Sequence, residues 1–206
     1  EEARQKKSRI YDISEDNLNF KEKAGKYIDF LNANAYDKER DVRTNIAGEF
    51  QKSNLAAALQ TAELICGRLD EDKIYKALSQ IRISGRMEEI APGIIVDVSH
   101  NIQGMQGFVQ TVEANYHGMK KRILFAASHQ NEEEYMKNIL KTIPEIEAFY
   151  TVGIHKRRID EAEFQDAFRK MIDRNQETTV CFVVGSFYLA GMAKEFINQE
   201  EENVRL

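Results

Sequence analysis

Four short apolar runs, alternating with helix-length amphipathic segments, predict an α/β fold: a mostly parallel sheet with flanking helices. The runs are residues 94–98, 122–127, 148–152 and 179–184, and helical spacing recurs over 102–116, 131–141, 161–174 and 187–199. Strands separated by helices of this length join as βαβ units, which makes the strands parallel and each crossover right-handed. The stretch 85–104 supplies a second observation. Its run Ile94-Ile95-Val96 ends in Asp97, Ser99, His100 and Asn101, just ahead of a helical pattern starting near Ile102. In open α/β sheets, ligands sit in the crevice past the carboxyl ends of the strands, so these four polar groups mark the candidate site.

In chain order, residues 1–9 are charged and read as a helix end or a lead-in. The chain begins without an initiator methionine, as a fragment of something longer would. Short strands are expected at 9–13, 18–20 and 27–31, followed by a polar loop with an edge strand over 32–45. From Phe50 the period changes to that of a helix: Leu55, Ala58, Leu59, Ala62 and Ile65 share a face, and Ala56-Ala57-Ala58 favours helix strongly. Ser53 is the expected N-cap and Gly67 the stop. A second helix fits 70–81, with Ile74, Ala77, Leu78 and Ile81 on one face and Asp70, Glu71 and Asp72 at its positive end. A boundary is expected near Ser84-Gly85. It separates the tail of one domain, 1–84, from a Rossmann-like domain, 85–206.

Composition sets outer limits. The chain has 206 residues, 42% of them hydrophobic, enough for one good core or two small ones. A net charge of −5 argues against binding to nucleic acid or to a membrane surface, both of which call for a basic patch. No apolar run approaches the roughly 20 residues that span a bilayer, and residues 1–9 lack the apolar core of a signal peptide. Cys66 and Cys181 each lie in an apolar segment and read as small core residues. A soluble, cytoplasmic protein is expected. The sequence has no Gly-x-x-x-x-Gly-Lys-Ser/Thr phosphate loop, no zinc-type cysteine pattern and no Gly-x-Ser-x-Gly elbow.

Taken singly, the candidate residues leave their roles open. Asp97, at a strand end, can accept from ribose hydroxyls, hold a metal, or cap the next helix. His100 can meet a phosphate, act as acid or base, or serve as a structural hydrogen bonder. Asn101 stands at N-cap distance from the following helix. Arg86 can offer a bidentate fork to an anionic ligand or pair with a nearby glutamate. Gln51 and Asn54 can pair with a base edge or cap a helix. Ser186, in Gly185-Ser186-Phe187-Tyr188, either caps the last helix or meets a ligand there. Lys156-Arg157-Arg158 reads as a solvated loop, and Glu132-Glu133-Glu134 as an acidic first turn.

Read together in order, four of these pieces resemble the folylpolyglutamate synthase/dihydrofolate synthase family of the Mur ligase superfamily. Gly48-Glu49-Phe50-Gln51-Lys52-Ser53-Asn54 matches the family's Gly-x-His/Phe-Gln-x-x-Asn pattern. Gly85-Arg86-Met87-Glu88 matches Gly-Arg-x-Glu. Asp97-Val98-Ser99-His100-Asn101 corresponds to Asp-Gly-Ala-His-Asn, and Gly185-Ser186-Phe187-Tyr188-Leu189 to Gly-Ser-Leu-Tyr-Leu. The resemblance implies the C-terminal portion of an ATP-dependent ligase that joins L-glutamate to a folate through an acyl phosphate. Residues 1–84 would end the central ATPase domain and 85–206 would form the C-terminal domain. Gln51 and Asn54 would lie near the adenine, Arg86 near the phosphates and Asp97 near the ribose. His100 would reach the phosphates or the reacting centre, which makes it the catalytic candidate, and Ser186 would frame the glutamate.

The family's phosphate loop, Mg²⁺ ligands and modified lysine are expected upstream of residue 1, so the chain alone is expected to be inactive and to carry no metal site; a monomer is expected. Val98, Ser99 and Ile102 depart from the family's Gly, Ala and Pro, and 126–132 departs from its Gly-x-x-x-Asp-Lys-Asp. Two other readings stay open: a Mur-type peptidoglycan amino-acid ligase, and a non-catalytic binding module with the same fold.

Overall fold

The computed structural model describes residues 19–22, 28–31, 42–44, 50–67, 69–128, 130–155, 158–173 and 178–205. The expected lead-in, the strand at 9–13, most of the polar loop at 32–41, and Lys156 and Arg157 lie outside them. The chain divides into two compact units, one drawn from residues 1–81 and the other centred on 82–206.

In the first unit, β1 (Asn19–Glu22), β2 (Ile28–Leu31) and β3 (Val42–Thr44) form an antiparallel sheet in that order, so β3 is the edge strand expected in the polar stretch. Helix α1 (Phe50–Cys66) starts three residues before the expected cap. Ser53 therefore lies inside the helix, because burial of Gln51 one turn ahead of buried Leu55 extends the packed face backward. The helix stops at Gly67, whose φ of 78° is the left-handed turn that glycine adopts without strain. Helix α2 (Glu71–Gln80) is capped by Asp70, whose carboxylate accepts from Lys73 N at 3.1 Å. Cys66 is exposed, against expectation, in a last turn where Leu64 and Ile65 are also open.

The second unit contains the parallel sheet. Its elements run β4 (Glu88–Ala91), β5 (Ile94–Asp97), α3 (Ile102–Asn115), β6 (Lys120–Phe125), α4 (Glu133–Leu140) and β7 (Ile146–Thr151). A two-stranded ribbon follows, β8 (Ile154–His155) and β9 (Arg158–Ile159), then α5 (Glu161–Ile172), β10 (Thr179–Val184) and α6 (Phe187–Arg205). The sheet order is β4-β5-β10-β6-β7, with β5, β10, β6 and β7 parallel and β4 antiparallel at one edge.

The fold class and all four parallel strands are as expected; β4 and the β8–β9 ribbon are additions. β4 escapes notice because Glu88 and Glu89 break the apolar pattern, while Pro92 and Gly93 (φ 72°) turn the hairpin in two residues. β6 begins earlier than its apolar run because Lys121 is fully buried within it, its ammonium held by Glu145 Oε2 at 2.9 Å.

Alternate residues face opposite layers. Ile94, Val96, Leu124, Cys181 and Val183 pack under α5 and α6 with Phe164, Phe168 and Phe196. Ile95, Ile123, Phe125, Val180 and Phe182 pack under α3 and α4 with Phe108, Met136 and Leu140. All six residues of β10 are buried, as a central parallel strand covered on both faces requires.

The two thiols should therefore differ. Burial pushes Cys181 up to about 11, and the thiolate is the reactive form. A disulfide reagent in native buffer should titrate Cys66 promptly and Cys181 only after denaturant is added; prompt reaction of both would contradict this core.

Candidate functional site

Asp97 closes β5 and is 1% exposed. A carboxylate in such a place must be hydrogen-bonded or neutral. Oδ1 accepts from Ser99 N at 2.8 Å and Oδ2 from Met87 N at 3.0 Å. It does not cap α3; Asn101 does, its Oδ1 accepting from Gly104 N at 2.7 Å. Burial is the largest influence on Asp97 and pushes its carboxyl above the ordinary range, against the opposing pull of Ser99, the Met87 amide and the Arg86 charge. The Ser99 hydroxyl lies close enough to favour the charged form, yet this buried Oγ makes no hydrogen bond of normal geometry among the described residues.

The segment before β4 is shaped to reach this carboxylate. Gly85 (φ 71°) and Met87 (φ 43°) are both left-handed, which aims the Met87 amide at Asp97. For methionine that conformation costs on the order of 1 kcal/mol. Val98 N donates to Gly85 O at 2.8 Å, and a Cβ on Gly85 would stand 2.7 Å from Val98 Cγ1. Arg86 sits half-buried between these two residues. Its expected alternative, a pair with a nearby glutamate, is not what Glu88 does: Glu88 Oε2 pairs with Lys194 Nζ of α6 at 2.5 Å.

His100 is oriented from two sides. Its Nδ1 lies 3.0 Å from Val98 O, and its ring rests against Phe187, centroids 5.5 Å apart at 45°. A carbonyl only accepts, so Nδ1 carries the hydrogen and the lone pair of the neutral ring is on Nε2.

Gly185 follows β10 with φ 107°, and its amide donates to Asp97 O at 3.3 Å. Ser186, buried, takes the capping role: its Oγ accepts from Tyr188 N at 3.1 Å. Phe187 is 60% exposed. From β6's end, Ser128 Oγ donates to Gly185 O at 3.4 Å. Loops from β5, β10 and β6 thus meet beyond β10. The helix following β10 lies on one face and those following β5 and β6 on the other, the arrangement at which open α/β sheets place their ligands.

Arg86, Asp97, His100 and Ser186 accordingly belong to one region of the second unit. Gln51 and Asn54 belong to the first, where Asn54 Nδ2 donates to Gln51 Oε1 at 2.9 Å. The Met87 amide, the Phe187 ring and Lys194 were not legible as site components, since a backbone donor and a helix lysine carry no sequence signature. The substitution of Phe for Leu in the Gly-Ser-Leu-Tyr-Leu pattern was the one available signal.

No protein-family model matches the chain, and no curated protein matches its sequence. Solved structures do match. Apo folylpolyglutamate synthase of Lactobacillus casei superposes with TM-score 0.70 at 19% identity over 87% of this chain. The fold is that of folylpolyglutamate synthase, over the part of that chain it covers. The Thermotoga maritima folylpolyglutamate synthase gives 0.68 at 22% identity over 95% of this chain. A pseudomurein peptide ligase type C from Methanothermus fervidus gives 0.64 at 17% over 89%. The chain spans 44%, 50% and 42% of those three chains respectively. The four sequence motifs point to the same folylpolyglutamate synthase fold.

Two measurements test the site's construction. At Gly185 a Cβ would stand 2.5 Å from Ala126 O and 2.6 Å from Phe125 Cε2. Gly185→Ala should therefore cost about 2–4 kcal/mol in chemical denaturation, and a loss within 0.5 kcal/mol would refute the packing. Asp97 binds its proton more tightly folded than unfolded. Its effect on stability is thus most favourable below the unfolded carboxyl range, about pH 4, and is lost as pH rises through the raised native value. Asp97→Asn should flatten that decline, whatever it does to absolute stability; an unchanged pH slope would remove the assignment.

Proposed function

We propose that this chain is the C-terminal portion of an ATP-dependent amide-bond ligase that joins L-glutamate to a folate. In this reading residues 1–84 complete the central ATPase domain, and 85–206 form the C-terminal domain that covers the nucleotide. The observation that carries it is the meeting of the loops that leave β5, β10 and β6. They bring together Asp97 and His100 of the family's Asp-x-x-His-Asn pattern, in a fold matched by folylpolyglutamate synthases. One of those matched structures is a complex with AMPPCP and folate.

ATP would phosphorylate the folate carboxylate, and the glutamate amine would displace phosphate from the acyl phosphate. The residues of this chain bind and exclude water rather than form bonds. Asp97, held rigid by two amides, would accept from the ribose hydroxyls. Arg86 would meet phosphate oxygens, and Gln51 with Asn54 would lie at the adenine edge. His100, its Nδ1 engaged by Val98 O, would present Nε2 as an acceptor when neutral and as a second donor when protonated, a group suited to phosphate or to the reacting centre. Ser186 would frame the glutamate through the start of α6. Water exclusion matters because an acyl phosphate hydrolyses readily. Among the described residues no group of three His, Cys, Asp or Glu side chains is placed to hold a metal; the Mg²⁺ that accompanies ATP would take its protein ligands from upstream residues.

The match to a pseudomurein peptide ligase favours one second reading, a ligase acting on a peptidoglycan-type amino-acid substrate. Assay of the full-length protein with ATP, glutamate and either folates or peptidoglycan precursors separates the two. Asp97→Ala should raise the KM for ATP about tenfold or more while leaving that for glutamate within twofold. Equal shifts in both would remove the ribose role, and no ATP consumption with any acceptor would remove the ligase reading.

A further inference from the structure

The turn that brings Met87 to Asp97 is fastened from the opposite side by a lysine on α6. Lys194 Nζ lies 2.5 Å from Glu88 Oε2 and 2.6 Å from Ser84 Oγ. Ser84 Oγ in turn donates to the same Glu88 oxygen at 3.3 Å, and that oxygen accepts from Gly85 N. Three donors thus converge on Glu88 Oε2, with the ion pair about one-third exposed on the glutamate and 27% on the lysine. Burial pushes the Glu88 carboxyl up, but Lys194, the Gly85 amide and Ser84 together hold it below the usual range. Partial burial and shared donors make this more than a solvated surface pair.

What the cluster restrains is a strained backbone. Gly85 and Met87 flank Arg86 with left-handed φ values, and methionine has no intrinsic preference for that region. Two bonds made across this turn reach the site strand: Gly85 O to Val98 N, and Met87 N to Asp97 Oδ2. Without Lys194, Glu88 would lose its cation and Ser84 a donor, and the turn could relax toward ordinary φ values. Relaxation withdraws an amide from a buried carboxylate and shifts Arg86 with it.

We infer that Lys194 is a positioning residue, acting through Glu88 and Ser84 to hold the Met87 amide on Asp97 and to fix the backbone of Arg86 between Gly85 and Met87. Its effect on catalysis rests on the ligase reading above; its effect on Asp97's amide partner does not. The test uses the full-length protein carrying Lys194→Met, with Glu88→Gln as a second variant and Lys194→Arg as the rescue.

Hydrogen-exchange mass spectrometry should show residues 85–88 exchanging at least tenfold faster in both disrupting variants, with β10 unchanged and protection restored by arginine. In steady-state assays, the KM for ATP should rise several-fold in Lys194→Met while that for glutamate stays within twofold. Unaltered exchange at 85–88 would overturn the inference, as would faster exchange accompanied by equal shifts in both KM values. If the wild-type protein consumes no ATP, the ligase reading fails, and the exchange pattern alone still decides whether Lys194 holds this turn.

Discussion

The structure of the second unit depends on one buried carboxylate and the amides that satisfy it. Moving a charged group out of water costs several kcal/mol unless it is compensated. Asp97 is compensated in part by the Met87 and Ser99 amides, charge-assisted bonds worth roughly 1.5–3 kcal/mol each, while burial still holds its carboxyl above the ordinary range. Its main-chain carbonyl accepts from Gly185 as well. One residue therefore joins the segment entering β4, the loop leaving β5 and the loop leaving β10. The left-handed Met87 is tolerated because this arrangement over-determines it.

A second constraint is the position of β10. It enters the sheet last in sequence yet lies between β5 and β6, so the connection from β5 must pass over its place before it arrives. The helices that leave β5 and β6 occupy one face and the helix that leaves β10 the other, which is why the loops diverge at its end. Phe187 fills part of that opening, resting on His100 while most of its ring faces outward. The imidazole is thus oriented by one carbonyl and one aromatic face and needs no acidic partner.

Much of this was legible in the sequence, for physical reasons. The central strands β5 and β10 are buried along their whole length because both faces of the sheet are covered there, and β6 and β7 still carry apolar runs long enough to be read. Whereas Asp70, read as a first-turn acid, and Asp160 emerge as caps only in the structure, Asn101 announces its helix by capping chemistry. Gly67 likewise marks a stop. The rest lay in tertiary relations. Ser53 has the residue type of a cap, but burial of Gln51 sets the helix start at Phe50. Cys66 looked like core because its neighbours are apolar, yet that turn is open. β4 was missed because an edge strand beside a polar turn has no hydrophobic alternation. The position of Asp97 followed from motif order, but its amide partner Met87 belongs to a bond that residue type does not encode.

Val98 and Gly85 have a consequence for how this site can change. The valine stands where the related pattern has glycine, and its methyl groups occupy the space that any side chain at 85 would need. The pair behaves as a single steric unit with room for one side chain. A side chain at 85 would meet those methyl groups and would also need a left-handed backbone that glycine alone adopts without strain. Change here is therefore confined to position 98, which can shrink freely while 85 stays glycine.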